Sequence, residues 1–82
     1  MEKQWNVYIL RCGDGSLYTG IAVDVQARLK IHQSGKGAKY TRGRDPLEVV
    51  YTESMESKSA ALKREYAIKA LTREEKEKLI KK

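Results

Sequence analysis

Apolar and polar positions change rhythm along this chain, and the changes mark its elements. Over residues 4–12, Trp5, Val7 and Ile9 alternate with Asn6, Tyr8 and Leu10, and β-branched and aromatic types dominate, as in a strand. The turn formers Gly13, Asp14, Gly15 and Ser16 follow, and a second strand-like run covers residues 17–23, so together they predict an antiparallel hairpin. Asp24 is placed to cap a helix over residues 25–34 that Gly35 stops. Residues 36–45 are basic and glycine-containing and read as a loop with room for one helical turn. Pro46 introduces a third strand over residues 47–52, and Ser57 or Ser59 can cap a helix running to about Ala70. Thr72 and Glu75 have the capping-box spacing for a last helix over residues 72–82, with acids early and lysines late to suit its dipole. The order ββαβαα predicts an α+β fold, a small three-stranded antiparallel sheet flanked by helices, with residues 1–82 forming one domain.

The hairpin carries a geometric condition. Side chains alternate across a strand, so Tyr8 and Tyr18 share a face only if paired residue numbers sum to an even value, as with Leu10 opposite Tyr18. A three-residue loop Gly13-Asp14-Gly15 with a glycine bulge satisfies this, whereas a four-residue loop ending at Ser16 splits the tyrosines between faces.

Composition narrows the class. With 40% hydrophobic and 34% charged residues in 82, the chain reads as a globular domain with one small core. The one cysteine, Cys12, cannot form an intramolecular disulfide and reads as a strand residue, since the one histidine that would activate it, His32, lies in another segment. No apolar run approaches the roughly 18 residues of a membrane span, and no apolar secretory stretch opens the chain, which points to a cytoplasmic location. The net charge of +6 is unevenly placed. Arg28, Lys30, Lys36, Lys39, Arg42 and Arg44 fall in one stretch without an Asp or Glu, while elsewhere eleven basic residues balance eleven acidic ones. Such clustering attracts a polyanion, nucleic acid before anionic membrane, because no large apolar face accompanies the charges.

A few side chains could carry chemistry. On the helix before the last, Ala61, Leu62 and Ile68 fall within about 60° of Glu65, so a carboxylate points along the apolar stripe. Its bland alternative is a position at the stripe's edge, paired with Lys69 at i+4. Arg28 and His32 are also four apart and project from one helix face; alone, that pairing reads as surface decoration. Lys36-Gly37 lacks the spacing of a phosphate-binding P-loop, and no Cys/His spacing resembles a zinc site. The loop nevertheless suits phosphodiester contact: its glycines allow backbone approach, Lys36, Lys39, Arg42 and Arg44 supply charge, and Tyr40 offers a stacking face.

In joint order and spacing these residues resemble the GIY-YIG nuclease motif. The likeness rests on the strands Val7-Tyr8-Ile9-Leu10 and Leu17-Tyr18-Thr19-Gly20-Ile21, on the helix with Arg28 and His32, and on Glu65. It covers nearly the whole chain, with ten residues from Tyr8 to Tyr18 and ten from Tyr18 to Arg28. The nearest likeness is to small stand-alone bacterial members. The half-motifs read Asn6-Val7-Tyr8 and Tyr18-Thr19-Gly20, departing from Gly-Ile-Tyr and Tyr-Ile-Gly but keeping both tyrosines and the closing glycine, and the asparagine that some members carry after the metal helix has no clear match here.

The resemblance implies a phosphodiesterase site with one Mg²⁺ or Mn²⁺. In it Tyr8, Tyr18, Arg28 and His32 are catalytic, Arg28 binding phosphate, and Glu65 holds the metal. It implies DNA before RNA as substrate, in branched or damaged form, and a place in a larger repair or recombination assembly. A free tyrosine, with a pKa of about 10, is only about one part in a thousand ionised at neutral pH, and nearby cations lower that pKa. Tyr18, among Arg28, His32 and the metal, is therefore expected to act as general base, with Tyr8 orienting the water. Two other classes stay open: a nucleic-acid-binding module of the same fold that cuts poorly, and a protein-interaction domain whose basic patch meets an acidic partner.

Overall fold

β1 (Trp5–Arg11) is the central strand of a three-stranded antiparallel sheet, flanked by β2 (Leu17–Ala22) and β3 (Glu48–Met55), in the computed structural model, which describes residues 4–82. Three helices complete the order ββαβαα: α1 (Val25–Gln33), α2 (Lys58–Lys69) and α3 (Arg73–Ile80). A single 3₁₀ turn, Lys39–Thr41, interrupts the loop between α1 and β3. Among the described residues no helix is long and apolar enough to cross a membrane.

The hairpin takes the register its turn residues dictate. Cys12 N–H donates to Ser16 O at 2.8 Å and Gly15 N–H to Cys12 O at 2.9 Å, which closes a three-residue loop, and Gly15 has the positive φ of +87° that only glycine adopts freely. Leu10 therefore faces Tyr18, and Tyr8 faces Gly20. Alternation along β1 then divides the core. Val7 and Ile9 point to one side, where α2 and α3 contribute Ala61, Ile68 and Leu79; Tyr8 and Leu10 point to the other, with Ala22, Val25 and Leu29.

β3 runs three residues past the expected Thr52. Polar Glu53 and Ser54 hid this extension, and both have partners: Glu53 accepts from the Arg64 guanidinium at 3.0 Å, and Ser54 Oγ donates to Asn6 Oδ1 at 2.9 Å. Asn6 also donates to the carbonyls of Ala22 at 3.4 Å and Val23 at 3.1 Å, so one amide ties the three strands together. The register between β1 and β3 shifts between Ile9 and Leu10. That bulge lets Val50 and Tyr51 both pack toward α2 and α3 while Val49 packs beside Leu10. The caps sit where the side chains required them: Asp24 accepts from Ala27 N–H, Ser57 from Ala60 N–H, and Thr72 with Glu75 forms the reciprocal capping box.

Candidate active site

Tyr8, Tyr18, Arg28, His32 and Glu65 line one cavity of about 450 Å³, together with Gly20, Lys36 and Gly37. Two strands and two helices supply the five. Tyr8 and Tyr18 share a sheet face because the odd loop set the register, Arg28 and His32 project from α1 one turn apart, and α2 brings Glu65 to the same opening. Leu62 departs from its expected place in the apolar stripe: it is exposed and lines the cavity mouth, leaving Ala61 and Ile68 as the fully buried residues of α2.

Two glycines are needed by this packing. A Cβ on Gly20 would lie 2.6 Å from Tyr8 Oη and 2.8 Å from its Cζ, so the phenol ring occupies the space a side chain would take. Gly37 is short of a side chain for a related reason: the His32 imidazole fills that position. The loop glycine expected to admit a phosphate backbone instead admits a histidine ring.

The buried polar groups form a directed chain. Thr41 Oγ1 donates its one proton to Ala38 O at 3.0 Å, so it must accept from His32 Nδ1–H, 2.9 Å away. In a neutral imidazole Nε2 is then the bare acceptor, and it takes the Tyr8 hydroxyl proton across 2.9 Å. Burial and the Arg28 charge both hold the His32 pKa below its ordinary value, which keeps the ring neutral at pH 7. Sequence reasoning missed Thr41. Nothing local marks a threonine in a basic loop; only the fold brings it under His32, where it is 1% exposed.

The protein's own groups act on the Tyr18 pKa against the direction expected of its cations. Burial raises it, and Glu65 adds to the rise, outweighing Arg28. Burial raises the Tyr8 pKa further, with Tyr18 and Glu65 adding to the rise and Arg28 opposing it. Both phenols are therefore held protonated. Tyr18 Oη makes no hydrogen bond among the described residues, whereas Tyr8 has an imidazole waiting for its proton.

Around the cavity the basic stretch divides. Among the described residues Arg28, Lys36, Lys39 and Arg42 form no ion pair, but Arg44 is bound to Asp14 at 2.5 Å and lies 4.6 Å from the centre of the Tyr40 ring. Arg44, expected to contact nucleic acid, also braces the hairpin loop and Tyr40. Tyr40 lies over Tyr18, ring centres 5.9 Å apart. Glu65 is one carboxylate beside Lys69 Nζ at 3.6 Å, the edge-of-stripe pairing weighed from sequence, and it also lines the cavity. Among the described residues no group of three or more His, Cys, Asp or Glu could hold a metal. The described residues thus offer no all-protein cage, while a lone hard carboxylate fits Mg²⁺ or Mn²⁺, which bind through one or two carboxylates and substrate phosphate oxygens.

Fold and site together define a small α+β domain whose polar cavity joins a hairpin to the helix that follows it and to one carboxylate from a later helix. The chain belongs to the GIY-YIG family: the GIY-YIG catalytic domain matches residues 4–78. A UPF0213 protein of Staphylococcus epidermidis is 59% identical over 80 residues, covering 98% of this chain and 96% of that one. A UPF0213 protein of Staphylococcus aureus is 60% identical over 75 residues, 92% of each chain. The solution NMR structure of a UPF0213 protein from Bacillus halodurans is similar with a TM-score of 0.62 at 52% identity, covering 95% of this chain and 83% of that one. That of a protein from E. faecalis gives 0.67 at 44% identity, with 98% and 85% covered.

Proposed function

We propose that this protein is a divalent-metal-dependent endonuclease that hydrolyses phosphodiester bonds in DNA. The observation that carries the reading is the convergence of two phenols, a guanidinium, a neutral imidazole and one carboxylate on a single cavity, beside Lys36, Lys39 and Arg42, which form no ion pair among the described residues. Glu65 would hold Mg²⁺ or Mn²⁺ with the substrate, and the ion supplies charge neutralisation for the phosphoryl group and leaving oxygen.

This chain's own residues do the rest. The planar guanidinium of Arg28 grips the phosphoryl oxygens. The two tyrosines exchange the roles expected of them. As water attacks phosphorus its proton passes to Tyr8 Oη, and the Tyr8 proton passes to His32 Nε2; imidazolium forms, and neither phenol ionises. This suits hydroxyls whose pKa is raised, because the acceptor is a neutral imidazole and not a phenolate. Tyr18, with its hydroxyl free, orients the water or a phosphoryl oxygen.

Incubating the protein with nicked, branched and single-stranded DNA and with RNA, in Mg²⁺ or in EDTA, tests the proposal. Metal-dependent cleavage is expected, lost in Glu65→Ala and in Tyr8→Phe. Absence of cleavage on every substrate would refute it. The Glu65–Lys69 pair favours a second reading, a nucleic-acid-binding module with little or no cleavage, in which salt-dependent binding survives Glu65→Ala.

A further inference from the structure

A second cavity, of about 290 Å³, shares Tyr18 with the first and is otherwise lined by Leu17, Thr19, Tyr40, Lys69 and Lys76. Its composition differs from the first. The Tyr18 and Tyr40 rings, 33° from coplanar, provide aromatic surface, and Tyr40 is 44% exposed. The Arg44 guanidinium over Tyr40, itself held by Asp14, fixes that ring in place although it comes from a loop. Lys69 on α2 and Lys76 on α3 bring two ammonium groups to the same opening, and Lys76 forms no ion pair among the described residues. Only Thr19 adds a side-chain hydroxyl to the Tyr18 and Tyr40 phenols, and it is buried.

Aromatic surface beside mobile point charges is the chemistry that binds an unstacked nucleobase with its phosphate and reads little of its identity. We propose that this cavity binds the nucleotide next to the phosphate held in the first cavity, its base against Tyr40 and Tyr18 and its phosphate on Lys69 and Lys76. The inference rests on the phosphodiester reading of the first cavity and deepens it. The substrate must offer an unpaired nucleotide beside the cleaved bond, as a single strand, flap or frayed branch does. Because Tyr18 belongs to both cavities, base stacking also fixes the phenol that faces the reacting phosphate.

Binding without cleavage tests this. In EDTA, the affinity of a fluorescent single-stranded hexathymidylate is measured by anisotropy between 50 and 200 mM salt, values spanning the range in which phosphate contacts register at about 0.7 in log–log slope each. Lys76→Gln is expected to reduce the slope by about 0.7, and Tyr40→Leu to weaken binding about 5-fold or more, while Tyr40→Phe, which keeps a stacking face, retains it. Lys76 is the cleaner probe because Lys69 also touches Glu65. In amide NMR spectra a 5′-phosphorylated thymidine dinucleotide is expected to shift Thr19, Tyr40 and Lys76, and the same molecule with one abasic sugar to leave Tyr40 unmoved. If Arg28→Ala abolishes binding while the Lys76 and Tyr40 variants change nothing, or if the abasic molecule gives the same map, this inference is overturned and the first cavity stands. If the wild-type protein binds no oligonucleotide, both fall.

Discussion

Replacing Thr41 by valine keeps shape and volume and removes one hydroxyl, so it isolates the buried hydrogen-bond chain. Among the described residues His32 Nδ1–H has Thr41 as its only partner, 2.9 Å away, and His32 is 3% exposed. Valine leaves that N–H buried and unsatisfied, a loss of about 1–3 kcal/mol. For a domain of this size that corresponds to a fall in Tm of about 4–8 °C per kcal/mol. The ring has one escape, which is to move its proton to Nε2 and donate to Tyr8 Oη instead. The polarity of the Tyr8–His32 bond then reverses, and the tyrosine loses its proton acceptor. Since the chain has one histidine, long-range ¹⁵N–¹H NMR reads the tautomer without ambiguity. The native protein is expected to show protonated Nδ1 and bare Nε2, Thr41→Val to show lower stability or the opposite tautomer with reduced cleavage, and Thr41→Ser to restore the native pattern. A native spectrum with protonated Nε2, or a valine variant with unchanged tautomer, stability and activity, would refute the reasoning.

Gly20→Ala should cost stability although alanine restricts the unfolded chain. The clash with the buried Tyr8 ring, about 1–3 kcal/mol, exceeds the roughly 0.4–1 kcal/mol gained, and urea denaturation should show a net loss near 1 kcal/mol. Cleavage, if it runs through neutral His32, should hold its rate below pH 6.5 and decline only in more acid solution, because the folded pKa is depressed. The same depression makes stability fall as pH drops below about 6.5, where the unfolded chain takes up the proton first; in His32→Gln that acid loss should shrink. At the other end, Tyr8 and Tyr18 have raised pKa values, so their contribution to stability is present below about pH 10 and lost above it, visible as coincident tyrosinate absorbance and unfolding. Thr72→Ala breaks the capping box and should lower stability by about 1 kcal/mol in thermal melts.

Much of this was legible because local chemistry and tertiary structure agree. Turn glycines fixed the hairpin loop, caps fixed the helix starts, and the direction of Glu65 along the α2 stripe anticipated a carboxylate turned inward. What escaped reading was decided by partners far along the chain. Glu53 and Ser54 look like a strand's end until Arg64 and Asn6 satisfy them. Gly37 looks like an opening for phosphate until the His32 ring fills it. Arg44 counts as free charge only until Asp14 is seen across the hairpin, 30 residues away in sequence. The direction in which the protein's own groups move the Tyr18 pKa escaped for the same reason: neighbouring charges can be counted from spacing, but burial belongs to the fold.

The Gly13-Asp14-Gly15 loop also guards the pairing of the hairpin. A one-residue slip of β2 against β1, with Leu17 or Thr19 opposite Leu10 in place of Tyr18, would rotate every β2 side chain to the other surface, sending Tyr18 away from Tyr8 and turning Leu17 and Thr19 into its place. The tip resists substitution, since a Cβ on Gly13 would run into the Asp45 carbonyl oxygen and Gly15 holds a positive φ. The Cys12–Ser16 and Cys12–Gly15 backbone bonds that close the loop act as a latch against such slippage and keep two phenols on one side of a sheet.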